Sequence, residues 1–84
     1  MGAASPRYRL DAESDDDPAA LLRIVTPLLV AGAVLESVAM TRVAAGGYTL
    51  TVAFDGLPRE RARHVAERIR QMPLMRRCDL AARD

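Results

Sequence analysis

Few side chains in this sequence have the types and spacing that catalysis or metal binding requires. The densest polar group is the acidic run Asp15–Asp17, which stands directly before Pro18 and a long apolar segment. His64 lies among arginines, and Cys78 is the only cysteine, so neither an internal disulfide nor a cysteine-based zinc site can form. No base accompanies Cys78, as a nucleophilic thiol would need. We therefore expect no catalytic residue, no metal site and no cofactor.

The acidic run has a structural interpretation that competes with ligand binding. Asp17 suits the N-cap of a helix, and Pro18 suits the first helical position because its missing N–H is not needed there. Gly32 suits the C-cap. The sequence thus predicts a helix that starts at Asp17, ends at Gly32 and is kinked by Pro27, with ligand contact by the acids as the alternative. Its predicted buried stripe comprises Leu21, Ile24, Val25 and Leu28.

Alternating apolar and polar residues predict four strands. They run from Tyr8 to Glu13, from Val34 to Val43, from Tyr48 to Phe54 and from Leu74 to Ala81, and the segment Ala44–Gly47 is a hairpin loop between the middle two. The second strand is apolar on both faces, so it needs cover on both. Its two faces are predicted to carry Leu35, Ser37 and Ala39 on one side, and Val34, Val38 and Met40 on the other. The last strand is predicted to point Leu74, Cys78 and Leu80 inward.

A second helix is predicted from about Pro58 to Met72, after the turn Asp55–Pro58 and before Pro73. Its outer face is rich in arginine and poor in glutamate. A solvated surface and a docking surface for an acidic partner are both open interpretations of that face. Its core face is predicted to comprise Ala62, Val65, Ala66, Ile69 and Met72.

The order β-α-β-β-α-β indicates an α+β fold, a ferredoxin-like sandwich in which a four-stranded antiparallel sheet carries two helices on one face. The 84 residues give one domain, at 8–82, after a flexible N-terminus at 1–7. A net charge of +1 offers no sequence-wide electrostatic argument for nucleic acid or membrane binding. The chain has no apolar core of a signal peptide and no run near the roughly 20 apolar residues of a membrane span. We expect a cytoplasmic protein.

The element order, together with "DPAALLRI" and the following "AGAVLESV", resembles the ACT domain, a regulatory module that binds small molecules, usually amino acids. The resemblance covers nearly the whole chain and is greatest to the single-ACT small subunits of acetolactate (acetohydroxyacid) synthase. Those read approximately polar-x-x-Gly-x-Leu-x-Arg-Val, then Gly-x-Asn-Ile-Glu-Ser-Leu. The matching residues here are Leu21, Arg23, Ile24, Gly32, Leu35, Glu36, Ser37 and Val38.

In the ACT family an amino acid binds between the first loop of one protomer and the second strand of its dimer mate. Ala19 stands where the family has a glycine that lets the backbone approach the ligand, and Val34 replaces an asparagine that binds the ligand's polar end. Asp16 replaces a neutral polar residue and would repel a carboxylate. We therefore expect a degraded effector site, as in short synthase subunits that look insensitive to feedback. The residues that the resemblance places in this site are Asp16, Asp17, Ala19, Ala20, Gly32 and Val34.

The resemblance implies a non-catalytic accessory subunit in branched-chain amino-acid biosynthesis, whose thiamine-diphosphate-dependent catalytic partner carries the cofactor. Because the apolar second strand lies at a sheet edge in this topology, we predict a homodimer. A stand-alone amino-acid sensor is the alternative. A nucleic-acid-binding ferredoxin-like module would need stacking aromatics on an exposed strand face, and the third strand needs its aromatics for the core. The predicted dimer interface comprises Val34, Leu35, Val38 and Met40.

Overall fold

The computed structural model describes residues 6–83 and contains six elements in the predicted order. The strands form one antiparallel sheet with the spatial order β2-β3-β1-β4, which puts β2 at an edge as predicted. The α+β, ferredoxin-like βαββαβ fold is thereby confirmed. The elements are β1 (Arg7–Ser14), α1 (Ala20–Ala31), β2 (Val34–Arg42), β3 (Tyr48–Asp55), α2 (Arg59–Arg70) and β4 (Met75–Arg83).

The core lies between the two helices and one face of the central strands. Tyr8 of β1 pairs with Phe54 of β3, and their rings stack with centroids 5.7 Å apart. The alternation read from the sequence is right for β1, and in β3 it correctly gives Leu50, Val52 and Phe54 as buried. Ala53, on the other face of β3, is buried as well. The helices contribute small and branched side chains that let them lie close to the sheet. The buried helical residues are Ala20, Ile24, Leu28, Ala62, Val65, Ala66 and Ile69.

The other face of the sheet is polar. Asp11 accepts hydrogen bonds from Arg9 at 2.9 Å and from the Thr51 hydroxyl at 2.9 Å. Arg77 of β4 forms ion pairs with Glu13 of β1 and with its own neighbour two residues on. Opposite charges on adjacent strands satisfy one another where no helix covers them. One face of the sheet is therefore held by apolar packing and the other by a network of charges.

The first helix begins two residues later than predicted. Asp17 is not its N-cap: the Asp17 Oδ1 atom accepts a hydrogen bond from the backbone N–H of Ala19 at 2.9 Å, which closes a turn before the helix starts at Ala20. An aspartate that binds a backbone N–H two residues on competes with capping. At the other end Gly32 is the C-cap, with a left-handed φ of 104°, as predicted. The helix continues through Pro27.

The predicted burial of α1 is partly right. Ile24 and Leu28 are buried, whereas Leu21 and Val25 are only half-buried. Ala20, which the predicted stripe omitted, is fully buried. The buried stripe is therefore narrower than the apolar sequence suggests, and part of the apolar surface of α1 stays exposed.

A bulge in β2 makes the predicted division of its faces wrong. Leu35 lies opposite Phe54 and Ser37 lies opposite Ala53, so Glu36 is an extra residue in this strand. One inserted residue moves every following side chain to the other face. The helix-facing side of β2 therefore carries Leu35, Val38 and Met40, and the open side carries Val34, Ser37 and Ala39.

Other boundaries differ by one or two residues. Arg7, predicted to belong to a flexible N-terminus, is the first residue of β1; residues 1–5 of that predicted segment lie outside the described part of the chain. Met72 follows α2 instead of belonging to it, and it still packs against the core. Leu74 precedes β4 and also packs against the core, while Cys78 is buried and Leu80 is half-buried as predicted.

Gly47 fixes the end of the sheet where the β2–β3 hairpin meets β1. Its φ is 96°, and a Cβ at this position would clash with the Ser14 carbonyl oxygen. Arg76 ties the same corner together, since its Nε donates to Asp15 at 2.8 Å and its Nη1 donates to the Gly46 carbonyl at 3.2 Å. The hairpin, the end of β1 and the start of β4 are therefore held as one unit below the first loop.

Candidate functional site

The residues of the predicted effector site lie at opposite ends of α1. Asp16, Asp17 and Ala19 precede the helix, whereas Gly32 and Val34 follow it. A helix of 12 residues rises by about 18 Å, so one chain does not bring the two groups together. A site that uses both groups needs a second chain.

Each acid of the run at residues 15–17 faces its own arginine. Asp15 binds Arg76 at 2.8 Å, Asp16 binds Arg42 at 3.3 Å, and the Asp17 carboxylate lies 3.6 Å from Arg23. Arg42 matters most for the predicted site, because its guanidinium offsets the negative charge that Asp16 would present to a ligand. Sequence reasoning missed this contact, since the two residues are 26 positions apart and no local pattern links them.

Two residues of the predicted site have structural roles. The side chain of Ala20 is fully buried in the core, so it cannot contact a ligand. Gly32 holds the left-handed C-cap of α1, and its backbone N–H binds helix carbonyls. Ala19 is half-buried next to the turn that Asp17 closes. At the far end Val34 remains accessible, with 61% of its surface exposed.

A symmetric dimer would bring the separated groups together. If two copies of β2 pair antiparallel over their full length, Val34 at the start of one strand lies opposite Arg42 at the end of the other. Since Arg42 binds Asp16, the partner's Val34 would then stand beside the first loop. The geometry of the chain thus fits a site between two protomers, although it does not form one alone.

The predicted dimer interface lies on an open strand edge. Within residues 6–83, β2 pairs with β3 on one side and with no strand on the other. Val38 is 41% exposed on the helix-facing side, and Leu35 and Met40 on the same side are half-buried. Unpaired backbone groups beside exposed valines are a typical template for strand pairing. Dimerisation itself stays a prediction.

Glu36 and Ser37, two of the residues that match the family motif, lie at the bulge of β2. Glu36 accepts a hydrogen bond from Arg83 at 2.7 Å, across the two central strands. This hydrogen bond lowers the pKa of the Glu36 carboxyl below its usual value, with smaller help from the charges of Arg83 and Arg7. Glu36 is therefore paired with an arginine of its own chain, on the open face of the sheet.

Within residues 6–83, no group of three or more histidine, cysteine, aspartate or glutamate side chains is placed to hold a metal ion. Burial raises the pKa of the Cys78 thiol, and its Sγ lies 3.9 Å from the Ala66 carbonyl. A buried thiol of this kind is a poor nucleophile. His64 is exposed on α2. Neither helix of the described chain has the length and apolarity to cross a membrane.

A groove that sequence reasoning did not foresee runs between α1 and α2. It is open and has a volume of about 870 Å³. Val30 and Pro27 of α1 line one side, and Arg61 and Arg68 of α2 line the other, with Val65 also contributing. The arginine-rich face of α2 was the one available signal for it, but the apolar opposite wall depends on how the helices pack.

Comparisons with known proteins agree with the fold and give no closer relationship. Neither the family models nor the curated proteins contain a match to this sequence. The C-terminal domain of the MgtC protein from Mycobacterium tuberculosis is similar in structure, with a TM-score of 0.77 and 13% identity over 99% of this chain and 93% of that domain. The ACT domain of the GTP pyrophosphokinase from Chlorobium tepidum has a TM-score of 0.76 and 6% identity, covering 92% of this chain and 99% of that domain.

A homoserine dehydrogenase from Thiobacillus denitrificans has a TM-score of 0.71 and 12% identity, over 95% of this chain but only 17% of that enzyme. These likenesses span nearly all of the chain, and they establish an ACT-like fold. At such low identities they say nothing about ligand or partner, so the finer resemblance to acetolactate synthase small subunits rests on the sequence motif alone.

The role of Asp17 can be tested by removing its side chain. Asp17→Ala should lower the free energy of unfolding by about 1 kcal/mol, because the N–H of Ala19 loses its acceptor. Asp16→Ala is the matched control: its ion pair with Arg42 is exposed, so the loss should stay within about 0.5 kcal/mol. Thermal or urea unfolding of the ligand-free chain measures both. Equal stability of Asp17→Ala and the unmodified chain would mean that the turn does not need this carboxylate.

Proposed function

We propose that this chain is a non-catalytic accessory subunit of the ACT type, which forms a homodimer through β2 and regulates a separate catalytic protein by docking to it. The observation that carries the proposal is the open, apolar edge of β2 on an ACT-like fold that takes up nearly the whole chain. In this proposal the chain contributes binding surfaces, and the chemistry belongs to the catalytic protein to which it docks.

Packing in the chain supports pairing at this edge. Because α2 packs on β4, α1 covers the half of the sheet that includes β2. Leu22 and Leu29 of α1 are 66% and 52% exposed, and helical spacing puts both on the same side of that helix. In a dimer the two sheets would join into one of eight strands, and these leucines would lie next to the mate's helix. Burying them would remove exposed apolar surface from water and so favour the dimer.

The finer proposal is that the catalytic partner is an acetolactate-synthase-like enzyme dependent on thiamine diphosphate. Its support is the motif that includes Leu21, Arg23 and Ile24, followed at the correct spacing by Gly32 and Glu36. Docking would act by contacting the active state of the partner more favourably than the inactive state. The cofactor would belong to the partner.

Amino-acid sensing is the second candidate function, and Arg42 is the observation that favours it. Its guanidinium stands at the first loop, next to the edge where a mate would pair, and guanidinium groups bind carboxylates strongly. In the unmodified chain Asp16 already occupies Arg42, and Val34 offers no hydrogen bond to a ligand. The proposed site is therefore weak as it stands.

Dimerisation is tested by placing a charge on the open edge. The unmodified chain should sediment as a dimer at tens of micromolar, and Val38→Lys should shift it to monomer because a lysine at this position opposes strand pairing. Val30→Lys is the matched control, since Val30 is a more exposed valine on the groove side of α1. A monomeric unmodified chain, or an equal effect of the two lysines, would contradict pairing through β2.

Effector binding is tested by calorimetry with valine, leucine and isoleucine. The unmodified chain should bind them with dissociation constants at or above about 1 mM. Combining Asp16→Asn, which frees Arg42, with Ala19→Gly and Val34→Asn should tighten binding if the two-chain site forms. Micromolar binding by the unmodified chain would instead favour the sensor function over the accessory one.

The accessory role is tested with a purified acetolactate synthase catalytic subunit from the same genome. Adding the chain should change the catalytic rate in proportion to complex formation, whereas the Val38→Lys variant should do so less effectively. A rate that stays the same while the two proteins form no complex would exclude this partner. That result would leave dimerisation and the fold unaffected.

A further inference from the structure

The arginines of α2 differ from those elsewhere in the chain. Arginines on the strands and loops mostly face carboxylates at ion-pair distance, as Arg42 and Arg76 do. Four arginines of α2 form no ion pair with any of residues 6–83, and all four are exposed. They are Arg59, Arg61, Arg63 and Arg68. This helix therefore holds positive charge that the described chain does not neutralise, although the net charge of the whole sequence is only +1.

Two of these arginines line the groove between the helices. Arg61 and Arg68 lie on the α2 wall, with His64 between them. Arg68 follows Arg61 by seven positions, which corresponds to about two turns and about 10.5 Å of rise. The wall thus presents two guanidinium groups in a row along the groove.

The opposite wall is mostly apolar, with Thr26 as its polar residue. Val30 of α1 is 82% exposed, and Pro27 and Ala31 flank it along the helix. Val65 adds apolar surface from α2, and Glu60 is the one acidic residue among those that line the groove. A partner that covers an exposed valine beside a concave apolar surface removes apolar area from water, which favours binding.

We propose that the groove between α1 and α2 binds an acidic amphipathic helix of a partner protein. The apolar side of that helix would cover Val30 and Pro27, and two carboxylates spaced two turns apart would face Arg61 and Arg68. Helix-in-groove binding reads apolar anchors at helical spacing, and complementary charge fixes the register. The groove matches such an occupant on both walls.

The same features disfavour the other polyanions. Single-stranded nucleic acid is held by stacking on exposed aromatic side chains. Here Tyr8 and Phe54 are buried, and Tyr48 is half-buried and does not line the groove. A lipid surface is flat, while the exposed apolar residue Val30 lies at a concave groove that also contains Glu60. The charge and the apolar wall are best used together by a narrow, convex occupant such as a helix.

This inference deepens the proposed accessory role, and the identity of the partner rests on that role. The groove does not use the β2 edge: neither Val38 nor the exposed Leu22 and Leu29 line it. Docking and dimerisation can therefore occur in the same molecule. They can also be tested separately, so a failure of one does not decide the other.

The test uses the whole chain and a fluorescently labelled four-turn helical peptide. The peptide carries leucines along one stripe and, on its flank, two glutamates spaced two turns apart. Fluorescence anisotropy should show saturable binding that weakens with added salt, and a peptide with glutamine in place of both glutamates should bind several-fold less tightly. No saturable binding of the glutamate peptide, or equal binding of the two peptides, overturns the proposal.

Charge reversals on α2 locate the binding. Arg61→Glu with Arg68→Glu should raise the dissociation constant roughly tenfold, because two attractive pairs become repulsive. Arg59→Glu with Arg63→Glu is the matched control: it makes the same change in net charge on the same helix, outside the groove. It should change the constant by less than about threefold, since screening weakens distant charges. Equal losses in the two variants would show attraction without a groove and overturn the proposal.

The apolar wall has its own pair of variants. Val30→Ser should weaken peptide binding, and Leu22→Ser, on an exposed residue of the same helix that does not line the groove, should not. Single-stranded RNA and vesicles of phosphatidylcholine with phosphatidylserine are the competing probes. Tighter binding of either than of the glutamate peptide, with the same dependence on Arg61 and Arg68, would identify a different ligand and overturn the proposal.

Discussion

The main constraint on this molecule is that two helices of 12 residues each must cover one face of four strands. Apolar packing at the centre, where Phe54 and Leu10 are almost fully buried, uses the inner sides of both helices. Because α2 packs on β4 and α1 covers β2 only in part, no residue of the edge strand β2 is fully buried. Its valines and the outer leucines of α1 stay exposed as a consequence. The edge that we propose for dimerisation is thus a direct result of how the core is filled.

The opposite face of the sheet meets the same constraint with charge. No helix of the described chain covers it, so carboxylates and arginines on neighbouring strands pair with one another, and Glu36 reaches Arg83 across two strands. Exposed pairs of this kind add little stability each, but they leave few charges free for a partner. The arginines of α2 are the contrast, because those lining the groove form no ion pair with any of residues 6–83. The ion-paired residues of the sheet contact one another, whereas the arginines of α2 without an ion pair can bind a partner.

The sequence predicted features that depend on neighbours along the chain, and it failed where distant residues decide. Alternation predicted the core-facing residues of β1 and β3. Glycine readily adopts a left-handed φ, so Gly32 was correctly predicted as the end of α1. Asp17 was wrong as an N-cap, since the same side chain can cap a helix or close a turn before it. The bulge at Glu36 moved the side chains that follow it to the opposite faces of β2, and alternation alone cannot reveal an inserted residue. The contact between Asp16 and Arg42 could not be predicted, because only the folded sheet brings these two distant residues together.

The geometry of α1 links ligand binding to assembly. This helix holds the first loop and the start of β2 about 18 Å apart, so the two halves of an ACT-type site can meet only across a dimer. Any amino acid that bound there would stabilise the dimer, and by linkage the dimer would strengthen binding by the same factor. The proposed pairing of β2 would not need the ligand, because it would use only the free backbone groups of this edge and the exposed valines beside them. A chain that has Val34 in place of a hydrogen-bonding residue can therefore lose its effector and keep its assembly. The charged groove on the far side of α1 would then still be available to the partner that we propose the dimer regulates.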